Sequence, residues 1–238
     1  MGNAEAGRIA AAPEGPTRTV EHLVASLQER ISDGEFEVGS WIRQERLATE
    51  YGVSRMPIRE ALHRLQALGV VELIANRGAQ VKIPSFRDVA EAFEVRGVLE
   101  GHAAYLAASH STQKDIDQLR AACKSFLGAV AEAEKGTTGS PRPLWYAANS
   151  QFHGTVISAA GNEQLSLSIE ALHHRIPRNL TWAALGSDPR LLAANADEHV
   201  RIAEAIEGRD GARARELTIE HSAHARQLIE RHLAKNRS

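Results

Sequence analysis

Between residues 47 and 65 the chain reads LATEYGVSRMPIREALHRL, and this stretch constrains the fold more than any other. Leu47, Ala48 and Tyr51 form an apolar stripe at helical spacing, and Gly52 ends it. Ser54 stands where a hydroxyl can cap the free N–H groups of a new helix. Ile58, Ala61, Leu62 and Leu65 supply that helix's inner stripe, which runs out at Gly69. A helix, a short turn and a second helix make a helix-turn-helix, whose second helix can enter a major groove N-terminus first. Its opening carries Ser54, Arg55, Met56, Pro57 and Arg59. Arg55 and Arg59 are four residues apart, so they project from one face. Guanidinium groups suit bidentate contact with guanine edges and with phosphate.

The flanking pattern completes a domain. Val20, Leu23, Val24, Leu27 and Ile31 predict a helix that Asp33-Gly34 stops, and Gly39-Ser40 reads as a turn. Val70, Val71, Leu73 and Ile74, then Asn76-Arg77-Gly78, then Val81 and Ile83 predict a β-hairpin. The order is three helices and a hairpin, and Pro84-Ser85 breaks the pattern. We therefore divide the chain into a disordered Ala/Gly/Pro-rich tail (1–16), a winged helix-turn-helix (17–84) and a helical domain (85–238).

The formal charge is −2, so nucleic-acid binding needs a local patch. Residues 54–82 carry five Arg/Lys against two Glu, a local net of +3. The tail lacks the apolar core of a secretion signal, and no stretch approaches the ~18 apolar residues of a membrane span. The lone Cys123 forbids an internal disulfide and reads as a small packed side chain; the expected location is the cytoplasm.

From Phe86 onward the pattern is helical throughout. Six helices are predicted, over 86–109, 112–135, 143–160, 162–183, 188–207 and 210–234. Nine of the eleven histidines lie here. Asn149, Phe152, His153, Val156 and Ile157 share one face. His199, Ile202, Ala203 and Ile206 share another. Leu217, His221, His224, Ala225 and Leu228 share a third. Singly, each histidine reads as structural. Jointly, imidazoles turned inward from three helices, with an oxygen donor at Asn149, describe a divalent transition-metal site with open positions. The residues leave both readings open. They also leave open a metal-dependent hydrolase or a sensor of the metal alone.

The segment 47–81 resembles the winged helix-turn-helix of the GntR family of bacterial transcription regulators. The resemblance rests on LA, GVSR-x-P-x-REAL, L-x-x-LG and the wing RG-x-x-V. It implies that Ser54, Arg55, Pro57 and Arg59 open a recognition helix on DNA. It implies also that Gly78 approaches the minor groove with Arg77 beside it. Met56 stands where the family often has Thr. Glu45 stands where some members have a DNA-contacting Arg, flanked here by Arg43 and Arg46, which can reach phosphate. EVRGVLEGHAAYLAA (94–108), NSQFH (149–153) and EHVRIAEAIEGRDGARARELTIEH (198–221) resemble the FCD effector domain of the FadR subfamily. Six helices fit its shorter, VanR-like branch. The resemblance implies a homodimer on a palindromic operator and a non-enzymatic repressor. It implies a metal (zinc, nickel or manganese) on Asn149, His153, His199 and His221, and a small carboxylate effector with Arg96 as second anchor. The first ligand is commonly Asp in the family. Asn149 keeps an oxygen donor but removes one negative charge.

Overall fold

The computed structural model describes residues 16–32, 34–75, 77–136, 140–173, 176 and 178–235. The expected disordered tail, apart from Pro16, lies outside the described residues, as do Asp33, Asn76, His174 and Arg175.

The N-terminal half holds α1 (Pro16–Ser32), β1 (Trp41–Ile42), α2 (Gln44–Tyr51), α3 (Arg55–Ala67), β2 (Val71–Ile74) and β3 (Gly78–Val81). Val20, Leu23, Leu27 and Ile31 of α1 bury against Ile58, Ala61, Leu62 and Leu65 of α3, the two inner stripes expected from the periodicity. Gly52 closes α2 in the left-handed region (φ 64°), where a side chain is disfavoured. Ser54 occupies the N-cap of α3 with extended backbone, but its hydroxyl makes no capping bond. The expected cap is thus one of position only.

The hairpin is antiparallel, with Val71 opposite Val81 and Ile74 opposite Gly78. A third strand, β1, pairs with the other edge of β3, giving the order β1-β3-β2. It was not expected. Two residues are too short for an alternating pattern, although Ile42 is buried and Trp41 half-exposed, as a strand requires.

The remainder is α4 (Phe86–His110), α5 (Gln113–Lys135), α6 (Arg142–Ala159), α7 (Glu163–His173), α8 (Arg178–Leu185), α9 (Pro189–Glu207) and α10 (Gly211–Lys235). Capping boxes start α4 (Ser85 with Asp88) and α5 (Thr112 with Asp115), satisfying N–H groups that a helix start leaves unpaired. Five of the expected helices match within a residue or two. The expected helix over 162–183 is two helices. The sequence places Pro177 between them, and a proline has no N–H to give a helical ladder. Seven helices, not six, therefore follow the wing among the described residues, and helix count gives no support to the shorter branch. Phe126 of α5, Trp145 and Phe152 of α6, and Ile202 and Ile206 of α9 fill the central core. Cys123 is buried there, and desolvation pushes its thiol up to about 11, as for an inert packed side chain.

Among the described residues, hydrogen bonds from α6 and α8 tie the halves together. Arg142 Nη2 donates to the Gly34 carbonyl (2.8 Å), and Asn179 Nδ2 donates to the Phe36 carbonyl (3.0 Å). Gly34 has φ 77°, and a Cβ there would collide with Arg142 and lie 2.8 Å from the Asn179 Cβ. Only glycine permits this approach.

Candidate functional site: an imidazole cluster behind a basic helix

The face around α3 is built to meet a partner. Arg55 and Arg59 are exposed, Met56 is 78% exposed, and Ile58 and Leu62 on the opposite face are sealed in the core. Pro57 sits in the first turn of α3, where a missing N–H costs nothing. Glu45 of α2 pairs with Arg55 at 3.1 Å, but both side chains are more than half exposed. Such a pair is worth roughly 0–1 kcal/mol, so a phosphate or guanine can displace Glu45. Arg43 and Arg46 are exposed at the start of α2. Arg77 is exposed at the hairpin tip beside Gly78, whose φ of 105° suits glycine.

Inside the helical half three helices each turn one imidazole to a common point. His153 comes from α6, His199 from α9 and His221 from α10, and their ligand atoms all lie within 4.8 Å of one another. His199 is fully buried and stacks on Phe126, with ring centroids 4.1 Å apart. Burial pushes the His153 and His199 rings well below the usual histidine range, so both are held neutral.

Hydrogen bonds then fix which nitrogen faces inward. His199 Nδ1 lies 2.7 Å from the Asn195 carbonyl, which can only accept, so Nδ1 carries the proton and Nε2 the lone pair. His221 Nδ1 lies 2.7 Å from Glu198 Oε2. Burial raises the Glu198 carboxyl, but bonds from His221 and His224 outweigh it and hold it ionised. His221 therefore turns its Nε2 toward the other two rings. His153 Nε2 faces His199 Nε2 at 3.4 Å, an arrangement that needs one proton between the nitrogens or a cation in its place. Three imidazoles, two of them oriented by a carbonyl and a carboxylate partner, form a donor set that fits a late first-row divalent ion. Asn149 is buried on the same face of α6 and lines the same small chamber, with Trp145, Asn195, His153 and His221.

Arg96 also lines this chamber. Its guanidinium lies 4.6 Å over the Phe93 ring and pairs with Glu100 at 3.1 Å. Glu100 is buried and takes a second bond from His173 Nε2 at 2.5 Å. Burial would raise this carboxyl, but Arg96 and His173 hold it well below the carboxylate range. Sequence reasoning did not single out Asn195 and Glu198, which bond two of the rings, or the bond from His173 to Glu100.

Residues 91–224 match the FCD domain, and residues 19–81 match bacterial regulatory proteins of the gntR family. The chain belongs to the GntR family, in its FCD-domain branch. It is a DNA-binding transcriptional regulator of that type. This GntR/FCD regulator is 31% identical over 193 residues to the "Probable D-xylose utilization operon transcriptional repressor" of Paenarthrobacter nicotinovorans, covering 81% of this chain and 80% of the relative. It is 28% identical over 223 residues to the Exu regulon transcriptional regulator of Escherichia coli K12, covering 87% and 82%. Its fold matches that of E. coli McbR/YncC with a TM-score of 0.74 at 21% identity, covering 89% of this chain and 97% of the other. Among the described residues no helix is long and apolar enough to cross a membrane.

The Arg96–Glu100–His173 network makes a stability test. In Glu100→Ala the part-buried Arg96 loses its buried counter-charge, and urea denaturation is expected to show a loss of about 3–5 kcal/mol. A loss under about 1 kcal/mol, the range of a solvated surface pair, would contradict the burial described here.

Proposed function

We propose that this regulator is a homodimeric, cytoplasmic repressor that holds a divalent metal ion on His153, His199 and His221, with Asn149 as a weak fourth ligand. A small carboxylate effector binds at that ion and releases the operator. The observation that carries the reading is the convergence of three imidazoles, two of which already bond Asn195 and Glu198 through their outer nitrogens. When bound, the ion supplies open coordination positions for a carboxylate. Arg96 offers a cationic second anchor beside them. The D-xylose relative makes sugar-derived acids the first class to test.

On DNA, Arg55 and Arg59 read base edges or phosphate in the major groove, with Ser54 and Pro57 setting the approach of the helix. Met56 is a large apolar side chain kept in water, suited to a thymine methyl group rather than to the hydroxyl contact of a threonine. Arg43 and Arg46 take phosphates, and Arg77 beside Gly78 enters the minor groove. A second copy covers the apolar stripe of Val95, Val98 and Tyr105 on α4 with Ile219 of α10, all more than a third exposed.

The helical half is a receptor rather than a catalyst. Hydrolysis at such an ion needs a free general base. Glu100 is already claimed by Arg96 and His173, and Glu198 by His221 and His224.

Coupling between the sites runs along α6. Arg142, Tyr146, Asn149 and His153 recur at helical spacing on one side of it. One end of that row bonds Gly34 of the DNA-binding half, and the other lines the imidazole chamber. A shift of α6 on effector binding is thereby felt at Gly34.

Titration of chelator-treated chain with zinc is expected to give one ion per chain, none in His199→Ala, and at least tenfold tighter binding in Asn149→Asp. Stoichiometric zinc in His199→Ala would remove the assigned site. In fluorescence anisotropy with a duplex selected by the chain from a random pool, Arg55→Ala and Arg59→Ala are each expected to weaken binding by about 1–3 kcal/mol. Affinity equal to the parent chain's would refute their role.

A further inference from the structure

The chamber bounded by Arg96, Asn149, His153 and His221 is about 30 Å³. A single water needs at least ~10–15 Å³ on such a measure, so the chamber holds an ion and a water or two, not an organic acid. Pockets for small molecules run to roughly 300–1,000 Å³. A cleft of about 800 Å³ adjoins the chamber and shares His153 and His173 with it. Its inner wall is α6 and α7, through Ser150, Gly154, Ser166 and Glu170. Its outer wall is α1 of the DNA-binding half, through His22, Ala25, Ser26 and Glu29. His22, Ala25 and Glu29 are exposed and share one face of α1.

We propose that this interdomain cleft is the outer half of the effector site. The inference rests on the metal-and-carboxylate reading above. The carboxylate head reaches the ion past His153, and the body of the effector lies in the cleft against α1. The lining selects the chemistry of that body. The cleft's lining is mostly polar, through four serines, Gln28, two glutamates and three histidines, so the tail it accommodates is hydroxylated. The ligand therefore touches the DNA-binding half directly. Helix α1 packs on the recognition helix α3 through Leu23, Leu27, Leu62 and Leu65, so a push on α1 is delivered to the DNA-reading element within one layer of side chains.

The test uses zinc-loaded full-length chain and isothermal titration with two sorts of probe. Acetate reports the head alone. A panel of five- and six-carbon aldonates and uronates (xylonate, gluconate, galactonate, glucuronate, galacturonate) reports head and tail. Ala25→Trp fills the cleft from an exposed position, and Glu29→Ala removes a tail contact without adding bulk. Zinc content and thermal midpoint are read for each variant. At least one hydroxylated acid is expected to bind the parent chain tenfold or more tightly than acetate. Ala25→Trp is expected to lose tenfold or more toward that acid, and Glu29→Ala a smaller factor, with acetate and zinc binding unchanged in both. Three outcomes overturn the cleft assignment: no panel member binds zinc-loaded chain better than acetate, Ala25→Trp binds the best acid as the parent does, or acetate is lost in step with it. Failure of the parent chain to take up zinc is a separate result, which sinks the metal reading itself.

Discussion

Turning three imidazoles into a helical core is tolerable only if every ring nitrogen is accounted for, and that requirement organises the effector half. Removing a polar nitrogen from water without a partner costs one to several kcal/mol. His199 meets the requirement on one side through the Asn195 carbonyl one turn away, and His221 through Glu198. Both bonds come from α9, so this helix sets the tautomers of two rings on two helices. The His199 Nε2 lone pair is left facing the other imidazoles, an arrangement that a proton or a cation must reconcile. Phe126 and Phe152 pack on His199.

The same helices carry the consequence outward. α6 presents Asn149 and His153 to the chamber and Arg142 to Gly34, while α8 carries Thr181 at the chamber and Asn179 at Phe36. Each interdomain hydrogen bond contributes on the order of 1 kcal/mol net. That is the scale of typical allosteric coupling, roughly 1–3 kcal/mol. A ligand can shift the equilibrium between two domain arrangements only by its differential affinity for them. Contacts this small are therefore enough to matter and weak enough to be broken.

Much of this architecture is written in local sequence. Gly52 ends one helix, and the spacing of Ile58, Ala61, Leu62 and Leu65 buries the back of the next, which leaves Arg55 and Arg59 outside. Histidines 153, 199 and 221 are visible as inward residues because each lies on an apolar stripe. Other features are not legible for physical reasons. Ile169, Leu172, Ile176 and Leu180 keep helical spacing across the break between α7 and α8, so periodicity runs on where the chain does not; only Pro177 marks it. Arg96 and Glu100 can be paired by their spacing on one helix. His173, 73 positions further on, joins them only through the packing of α7 against α4. The roles of Asn195 and Glu198 depend on the rotation of α9, which the stripe of His199 fixes only to within a face. The interdomain cleft has no sequence signature, since its walls are the polar sides of helices that otherwise read as solvated.

His199 is held as a neutral ring protonated at Nδ1, with Nε2 kept ready for a cation. Nitrogen-15 NMR of the imidazoles in metal-free full-length chain near neutral pH reads this directly. The expected result is an Nδ1–H resonance and an unprotonated Nε2 for His199. A protonated Nε2 on that ring, or a doubly protonated ring, would contradict it.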